Sequence, residues 1–250
     1  MRELRVEIRK TRRRFLWLMP IGVAFMELLL LSTNSYLRKP EITPQLWSTL
    51  LFQLPLYNTI FCPLVLAALA SRICDSENKG NTYKLLCTLQ EKKHIFDAKV
   101  LLGALYVLLL TASEADCILL LGAILPVSQA FPLRHYLTFL GVLFLVSLSL
   151  YVMQLILSLM MTSQLIPLFI GLLGSLVGLF SAFFPIGKLA AIVPWGYYLI
   201  GSTFASWYDR ETRVSCLYEI PFQWELMARF AALSLFVCLA GRHFFLKKEV

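Results

Sequence analysis

The chain has 250 residues, of which 58% are hydrophobic and only 15% are charged. A soluble domain carries about 25% charged residues, and a domain of this size buries only about three-quarters of its unfolded surface. The composition therefore excludes a water-soluble globule, a disordered chain, a coiled coil and a collagen-like fibre. The net charge of +8 includes seven basic residues among the first fourteen, directly before an apolar run. This position is typical of a membrane topology signal and argues against a nucleic-acid partner.

Six apolar stretches are long enough to cross a bilayer, whose core of about 30 Å requires about 20 residues of helix. We therefore predict an all-α, polytopic membrane protein with six transmembrane helices in a single domain, 1–250. The predicted spans are 15–31, 47–70, 100–125, 136–161, 165–184 and 224–245. The first is interpreted as a retained span, because its long apolar run contains Glu27 and no clear cleavage site follows.

The distribution of basic residues predicts the orientation of these spans. With the N-terminal segment 1–14 inside, sixteen Lys and Arg residues lie on the inner side and six on the outer side. This asymmetry predicts that both termini are cytoplasmic. Residues 72–98 then form a polar cytoplasmic loop, and 185–223 form a long outer segment. The apolar part of that segment, 189–202, is too short to cross, so it lies at the interface or re-enters the membrane.

The motifs of common enzymes are absent from the sequence. It contains no GxxxxGK[ST] phosphate loop, no HExxH and no GxSxG. The six cysteines form no CxxC and no cluster with histidine, so we interpret them as free thiols and predict neither a metal site nor a cofactor on this chain. His94 and Asp97 lie one turn apart but have no third partner. The sequence therefore does not predict an enzyme.

Four charged residues lie inside predicted spans: Glu27, Glu114, Asp116 and Arg229. A charge at the centre of a bilayer costs about 2.5–3.5 kcal/mol or more, so such residues usually face protein or water. The acids lie at the midplane or in the outer half, where they either line a path for a cationic ligand or protons, or serve packing. Arg229 is expected to pair with Glu225 one turn earlier or with an acid on another helix.

The fifth span has a face of small residues, Gly171, Gly174, Ser175 and Gly178, which includes a GxxxG pattern. Small residues allow helices to approach closely in lipid. The pattern is equally compatible with packing inside the chain and with packing between subunits.

Within the loop 72–98, Tyr83, Leu86 and Leu89 follow one another at intervals of three, and Leu85 adds to the same apolar surface. This spacing predicts a short amphipathic helix that lies on lipid or docks in a protein groove. A solvated loop is the alternative.

The same region carries a resemblance to a known family. Glu7, Lys10 and Arg12 lead into the first span, and a pattern of acidic, small, apolar and basic residues connects the second span to the third. Its members are Glu77, Gly80, Thr82, Leu85, Leu86, Lys92, Lys93, Ala98 and Lys99. The pattern resembles the permease subunits of type-2 ABC exporters, and most of all the lantibiotic-immunity and bacitracin-export permeases of Gram-positive bacteria. The run Pro194-Trp195-Gly196-Tyr197 is similar to a Pro-Trp element of those permeases. One departure is Leu89-Gln90-Glu91, where the family often has a proline.

The resemblance implies a multi-pass permease of the bacterial cytoplasmic membrane that exports amphipathic antimicrobial peptides and so gives immunity or resistance. ATP and Mg²⁺ would bind to a separate ABC ATPase, present in two copies, and a second permease chain, identical or homologous, would complete the transporter. Spans one and five would form the dimer interface, which includes Gly171, Gly174 and Gly178. The segment 1–14 and the coupling loop would contact the ATPase. The expected coupling residues are Glu77, Gly80, Thr82, Tyr83, Leu85, Leu86 and Leu89.

The cargo would enter from the bilayer, attracted by acids in the outer half of the membrane. The expected substrate-path residues are Glu27, Glu114 and Asp116, with Asp209, Glu211 and Glu219 on the outer segment. Two other classes stay open from the residues alone: a polytopic membrane enzyme, and a passive scaffold or channel subunit.

Overall fold

The computed structural model describes residues 2–33, 45–79, 88, 90–125, 129–161, 163–181, 191–208 and 215–247. Within these ranges the chain forms a helical bundle with one β-hairpin. The helices are α1 (Arg2–Arg12), α2 (Leu18–Thr33), α3 (Leu46–Lys79), α4 (Lys92–Ile124), α5 (Leu133–Met160), α6 (Leu165–Ser181), the short α7 (Tyr197–Ile200) and α8 (Trp224–Lys247), and a 3₁₀ turn, Pro194–Gly196, directly precedes α7.

Four of the described helices are long and apolar enough to cross a membrane: the part of α3 between Leu46 and Asp75, and all of α4, α5 and α8. They confirm that the predicted spans two, three, four and six are long apolar helices. The first and fifth predicted spans are apolar helices of 16 and 17 residues, α2 and α6. At 1.5 Å per residue each is about 25 Å long, somewhat less than a bilayer core. The crossing by all six therefore stays a prediction.

Helix α3 is the centre of the bundle and packs against α2, α4, α5 and α6. Over half of its most apolar window, 56%, is buried within the chain, compared with 17% for α8. Helix α8 packs mainly along α5 and α4, with Phe230 stacked on Tyr197 of α7, and leaves large apolar side chains such as Phe236 and Leu239 exposed. Because exposed apolar surface of this extent is unfavourable in water, α8 is the helix with the largest lipid-facing surface among the four.

The bundle has two chemically different ends. We call the end formed by α1, the C-terminal ends of α3 and α8 and the N-terminal end of α4 the basic end, because Arg and Lys are concentrated there. Helix α1 packs against α4 at this end. Phe15 makes the sharp turn between α1 and α2 with a φ of 52°, a left-handed conformation that is uncommon for a residue with a side chain. The turn is closed by Leu18, whose N–H donates to the carbonyl of Phe15.

The segment predicted as the loop 72–98 is more helical than expected. Helix α3 continues to Lys79 and α4 begins at Lys92, so the connection is confined to 80–91. The predicted coupling residues other than Glu77 lie outside the described residues: Gly80, Thr82, Tyr83, Leu85, Leu86 and Leu89. The helices extend because the polar residues at their ends pair with one another, as described below.

The prediction of an all-α fold is incomplete at the opposite end of the bundle. Strand β1 (Phe204–Tyr208) pairs antiparallel with β2 (Ser215–Glu219), with Phe204 opposite Glu219 and Tyr208 opposite Ser215. The sequence reasoning treated the whole segment 185–223 as a single outer stretch and missed the hairpin. The signal in the sequence is weak: Phe204, Trp207, Tyr208 and Tyr218 favour strands, but they do not alternate regularly with polar residues.

Candidate functional site

Two polar clusters lie inside the bundle, and each joins helices that are distant in sequence. The basic-end cluster consists of Glu7, Lys10, Glu77 and Lys99. The intramembrane cluster consists of Glu27, Asn58, Cys62 and Glu114.

In the basic-end cluster, two carboxylates alternate with two ammonium groups. Lys99 Nζ lies 2.9 Å from Glu77 Oε2 and 3.3 Å from Glu7 Oε2. Lys10 Nζ lies 2.9 Å from Glu77 Oε1 and 2.7 Å from Glu7 Oε1. Glu7, Glu77 and Lys99 are buried, and Lys10 is the member that reaches solvent. The four formal charges sum to zero, as a buried site requires.

Lys99 is held in this position by its surroundings. Its ammonium group donates to Glu7 Oε2 and to the carbonyl of Ile73, each at 3.3 Å, and forms an ion pair with Glu77 Oε2. The hydroxyl of Tyr151 donates to the backbone carbonyl of Lys99 at 2.9 Å. Gly103, one turn further along α4, makes room for the Tyr151 ring, because a Cβ at this position would overlap it. The side chain of Lys99 is fully buried as a result.

The electrostatics of the cluster favour the charged forms of Glu77 and Lys10, which both lie outside the apolar spans. Burial raises the pKa of Glu77, but the charges and hydrogen bonds of Lys99 and Lys10 outweigh burial and hold that pKa below its ordinary value. Burial likewise lowers the pKa of Lys10, and the hydrogen bonds and charges of Glu7 and Glu77 more than offset it, so the net shift is upward. Both groups are therefore ionised at neutral pH.

Further contacts fasten α1 to the ends of α3 and α4. Thr11 of α1 accepts a hydrogen bond from the hydroxyl of Tyr106 on α4 at 3.2 Å, and Arg14 donates to the carbonyl of Arg72 on α3 at 3.1 Å. The basic-end cluster thus ties α1, the end of α3 and the start of α4 into one unit. The connection 80–91 leaves and re-enters the bundle from this unit.

The intramembrane cluster joins α2, α3 and α4. Cys62 Sγ donates to Asn58 Oδ1 at 3.3 Å, and Asn58 Nδ2 donates to Glu114 Oε2 at 2.9 Å. Glu27 of α2 lies against the same group: one of its carboxylate oxygens, one of Glu114 and Cys62 Sγ are all within 4.8 Å of one another. Glu27 and Glu114 are each only 1% exposed. The sequence predicted both acids as buried candidates but did not predict that they meet.

The apolar part of the outer segment reaches this cluster. Tyr198 of α7 is buried, and its hydroxyl lies 2.8 Å from Ser147 Oγ at the middle of α5 and within hydrogen-bonding reach of the Cys62 thiol. Whether this segment is interfacial or re-entrant stays a prediction. Asp116 points away from the cluster, because a residue two positions after Glu114 lies on a different helix face.

The donor set of the intramembrane cluster is chemically suited to a cation. Glu27, Cys62 and Glu114 are the one group of acidic, thiol or imidazole side chains in the described residues that converge closely enough to share a metal ion. A small space beside Glu27 and Glu114 is lined mostly by leucines, with Ala24, Cys117 and Ile118, and is too small to admit a water molecule. In this conformation Glu27 and Glu114 are buried, and their expected place on a substrate path stays a prediction.

The glycine face of α6 is covered by the chain itself. A Cβ on Gly174 would overlap the indole ring of Trp195, and a Cβ on Gly178 would lie 2.8 Å from the Trp195 side chain. A Cβ on Gly171 would lie 2.7 Å from Ala67 of α3. These three glycines therefore allow close packing inside the chain, and their expected place in a dimer interface stays a prediction.

Arg229, predicted inside the last span, and Glu219, predicted on the outer segment, each lie close to a residue that can carry the opposite charge. Arg229 pairs with Glu225 one turn earlier, which confirms the sequence prediction. Glu219 at the end of the hairpin lies 3.6 Å from His135 of α5 and is largely exposed, and its expected attraction of the cargo stays a prediction. Asp209 and Glu211 lie outside the described residues.

The fold and the two clusters define a multi-pass helical membrane protein with an ion-paired unit at one end and a sealed polar cluster in the bundle. Residues 3–178, about seven-tenths of the chain, match the family described as ABC-2 family transporter protein, so the chain belongs to that family. It is accordingly a membrane component of an ABC transporter rather than an enzyme, and an ABC ATPase is its implied partner. Comparison with curated proteins gives no match.

Proposed function

We propose that this chain is the permease subunit of an ATP-driven exporter in the bacterial cytoplasmic membrane, and that it expels amphipathic, cationic antimicrobial peptides. ATP and Mg²⁺ bind to a separate ATPase subunit, two copies of which serve two permease chains. The basic-end cluster is the observation that supports this proposal most directly. It connects Glu77, in the last turn of α3 before the connection 80–91, to both α1 and α4 through buried charges.

The cluster supplies a mechanical link. When two ATPase subunits close on ATP, they push on the connection 80–91 and on α1. Because Glu77 is held by Lys10 and Lys99 at the same time, α1 and the inner ends of α3 and α4 move together rather than separately. Rigid helices carry that displacement through the membrane, as in other transitions in which packed elements move as bodies.

The contact with the second permease chain belongs on the lipid-facing side of α6. The glycine side of this helix is filled by Trp195, whereas the other side exposes the bulky apolar residues Leu172, Leu173, Leu176, Val177 and Phe180. The exposed side of α2, which includes Phe25 and Leu29, is the second apolar surface available for the expected pairing of the first and fifth spans.

The acids Glu27 and Glu114 act on the cargo only after α2 has moved away from α4. In the closed arrangement they are buried against each other without room for water. A displacement of α2 exposes two carboxylates to a cavity at the level of the outer half of the membrane. A cationic peptide that enters from the bilayer is attracted there and leaves outward.

Cross-linking tests the proposed contact with the ATPase. Two single-cysteine chains are compared, one with only Cys87 in the connection 80–91 and one with only Cys216 on β2, which is exposed at the opposite end. We expect Cys87 to cross-link to the ATPase subunit that co-purifies from native membranes, and the yield to change with ATP. Cross-linking from Cys216, or purification of the chain without any nucleotide-hydrolysing subunit, would contradict the proposal.

A further inference from the structure

Glu27 on α2 and Glu114 on α4 lack most of the hydrogen bonds that buried carboxyl groups normally make. Both oxygens of Glu27 and Glu114 Oε1 are buried, and none of the three has a hydrogen-bond partner among the residues that the structure describes. No Lys, Arg or His of the described ranges forms an ion pair with either side chain. Two ionised carboxylates here would leave three acceptors unsatisfied and would repel each other in apolar surroundings.

The hydrogen-bond directions distinguish the two acids. Glu114 accepts from the amide of Asn58, whose oxygen accepts in turn from the Cys62 thiol. Donors aligned in this way polarise one another toward Glu114 and favour its ionised form. Glu27 receives no such donor from the described residues. A proton on Glu27 therefore supplies the missing donor for Glu114 and removes the repulsion in one step.

We propose that Glu27 and Glu114 form a proton-binding site that holds one proton between the two carboxylates and thereby clamps α2 to α4. Shared protons of this kind are known where two carboxyl groups lie close together in a restricted site. The pair takes a proton rather than a hydrated cation because the space between the side chains excludes water.

The titratable neighbours of the pair are consistent with this assignment. Helix α3 contributes Tyr57 and Cys62, α4 contributes Cys117, and α7 contributes Tyr198, while Asp116 approaches Cys117 from the same helix. All are acids or neutral groups at physiological pH. Among the described neighbours, nothing basic replaces the proton as a counter-charge.

The site has a consequence for transport that rests on the proposed function. When α2 separates from α4, water reaches the pair, the Glu27 carboxylic acid loses its proton to that water, and two carboxylates result. The cavity thus becomes anionic only while it is open. It attracts a cationic peptide in that state and releases it when the proton returns and the helices close.

The test uses the purified full-length chain in lipid nanodiscs, with no ATPase and no cargo, so that its outcome is independent of the exporter proposal. Infrared spectroscopy at neutral pH detects the carbonyl stretch of a protonated carboxylic acid. We expect this band in the wild type, its loss in Glu27→Gln/Glu114→Gln, and its retention in the control Asp116→Asn. In Glu114→Gln the band shifts, because the acceptor changes from a carboxylate to an amide.

Two further measurements complete the design. The midpoint temperature of unfolding of the wild type should fall as the pH rises from neutral to alkaline, and the fall should be smaller in the double Gln variant. Absence of the band in the wild type, or its persistence in the double variant, overturns the proposal. A stoichiometric amount of bound divalent metal, lost in the double variant, also overturns it and assigns the three converging side chains to a metal instead.

Discussion

Replacement of Lys99 by methionine is the sharpest perturbation of the basic-end cluster. Methionine retains most of the apolar stem of lysine and removes the ammonium group, so the change is mainly electrostatic. Glu77 Oε2 loses the positive charge that lies 2.9 Å away, and Glu7 Oε2 and the Ile73 carbonyl each lose a hydrogen-bond donor at 3.3 Å. Two carboxylates then share the single positive charge of Lys10 at a site where both are buried.

The expected cost follows from this arrangement. Removal of one partner from a buried ion pair costs about 3–5 kcal/mol, because the remaining charge is left without compensation. Since Lys99 is 0% exposed, screening by solvent does not reduce this figure much. For a chain of this size, 1 kcal/mol corresponds to roughly 2–4 °C in the unfolding midpoint, so a decrease of about 10 °C is expected.

The assay is thermal unfolding of the purified chain in one detergent, with Lys99→Met compared with Arg242→Met. Arg242 forms a two-point ion pair with Asp97 at the same end of the bundle, with both atom pairs at 2.9 Å, but this pair is largely exposed. Exposed pairs contribute little, so the control should show a much smaller decrease. A double variant with Glu77→Gln should cost less than the sum of its single changes. Equal effects of Lys99→Met and Arg242→Met, or strict additivity with Glu77→Gln, would refute the reasoning.

Three other predictions concern packing, pH and backbone strain. Gly174→Ala should lower the free energy of unfolding by about 1–3 kcal/mol, because the new Cβ would overlap an indole ring. Gly141→Ala on α5, where a Cβ meets open space, should raise it by about 0.5–1 kcal/mol. Unfolding midpoints that move in the same direction would contradict this prediction. Because the pKa of Glu77 is lowered in the folded state, the ionised Glu77 stabilises the fold above its ordinary pKa of 4.5, and this stabilisation is lost as the pH falls through the lowered pKa. A spin label on α1 should therefore become mobile in acid, and unchanged mobility would count against the basic-end cluster. Phe15→Ile should destabilise by about 1–2 kcal/mol and Phe15→Asn should be tolerated, since a β-branched residue fits a φ of 52° poorly; the same unfolding assay compares them.

The long apolar helices were predictable because the bilayer requirement depends only on local composition. Predicted spans two, three, four and six correspond to α3, α4, α5 and α8, with ends that differ by up to nine residues. The ends themselves depend on contacts over long sequence distances. Helix α4 begins at Lys92 rather than near Val100 partly because Lys99 is buried by pairing with Glu7 and Glu77, and no local pattern around Lys99 indicates these partners.

The candidate site was predictable residue by residue but not as a geometry. Glu27 and Glu114 stood out as acids in apolar runs, and Glu77 and Lys99 stood out in the family resemblance. That Glu27 faces Glu114, and that Glu77 faces Lys99, depends on how α2, α3 and α4 pack, which hydrophobic periodicity does not determine. The glycine face shows the same limit: the spacing indicated close packing, and only the structure identifies Trp195 as the partner.

The most direct test of the account is ATP-driven transport in inside-out vesicles that contain this chain and its co-purified ATPase. A fluorescent cationic amphipathic peptide is added outside, and its accumulation in the lumen is followed with and without ATP. The account predicts ATP-dependent uptake that is lost in Lys99→Met, even where the complex still assembles and hydrolyses ATP, and that persists in Arg242→Met. Absence of ATP-dependent uptake by the wild type, or full uptake by Lys99→Met, would contradict it.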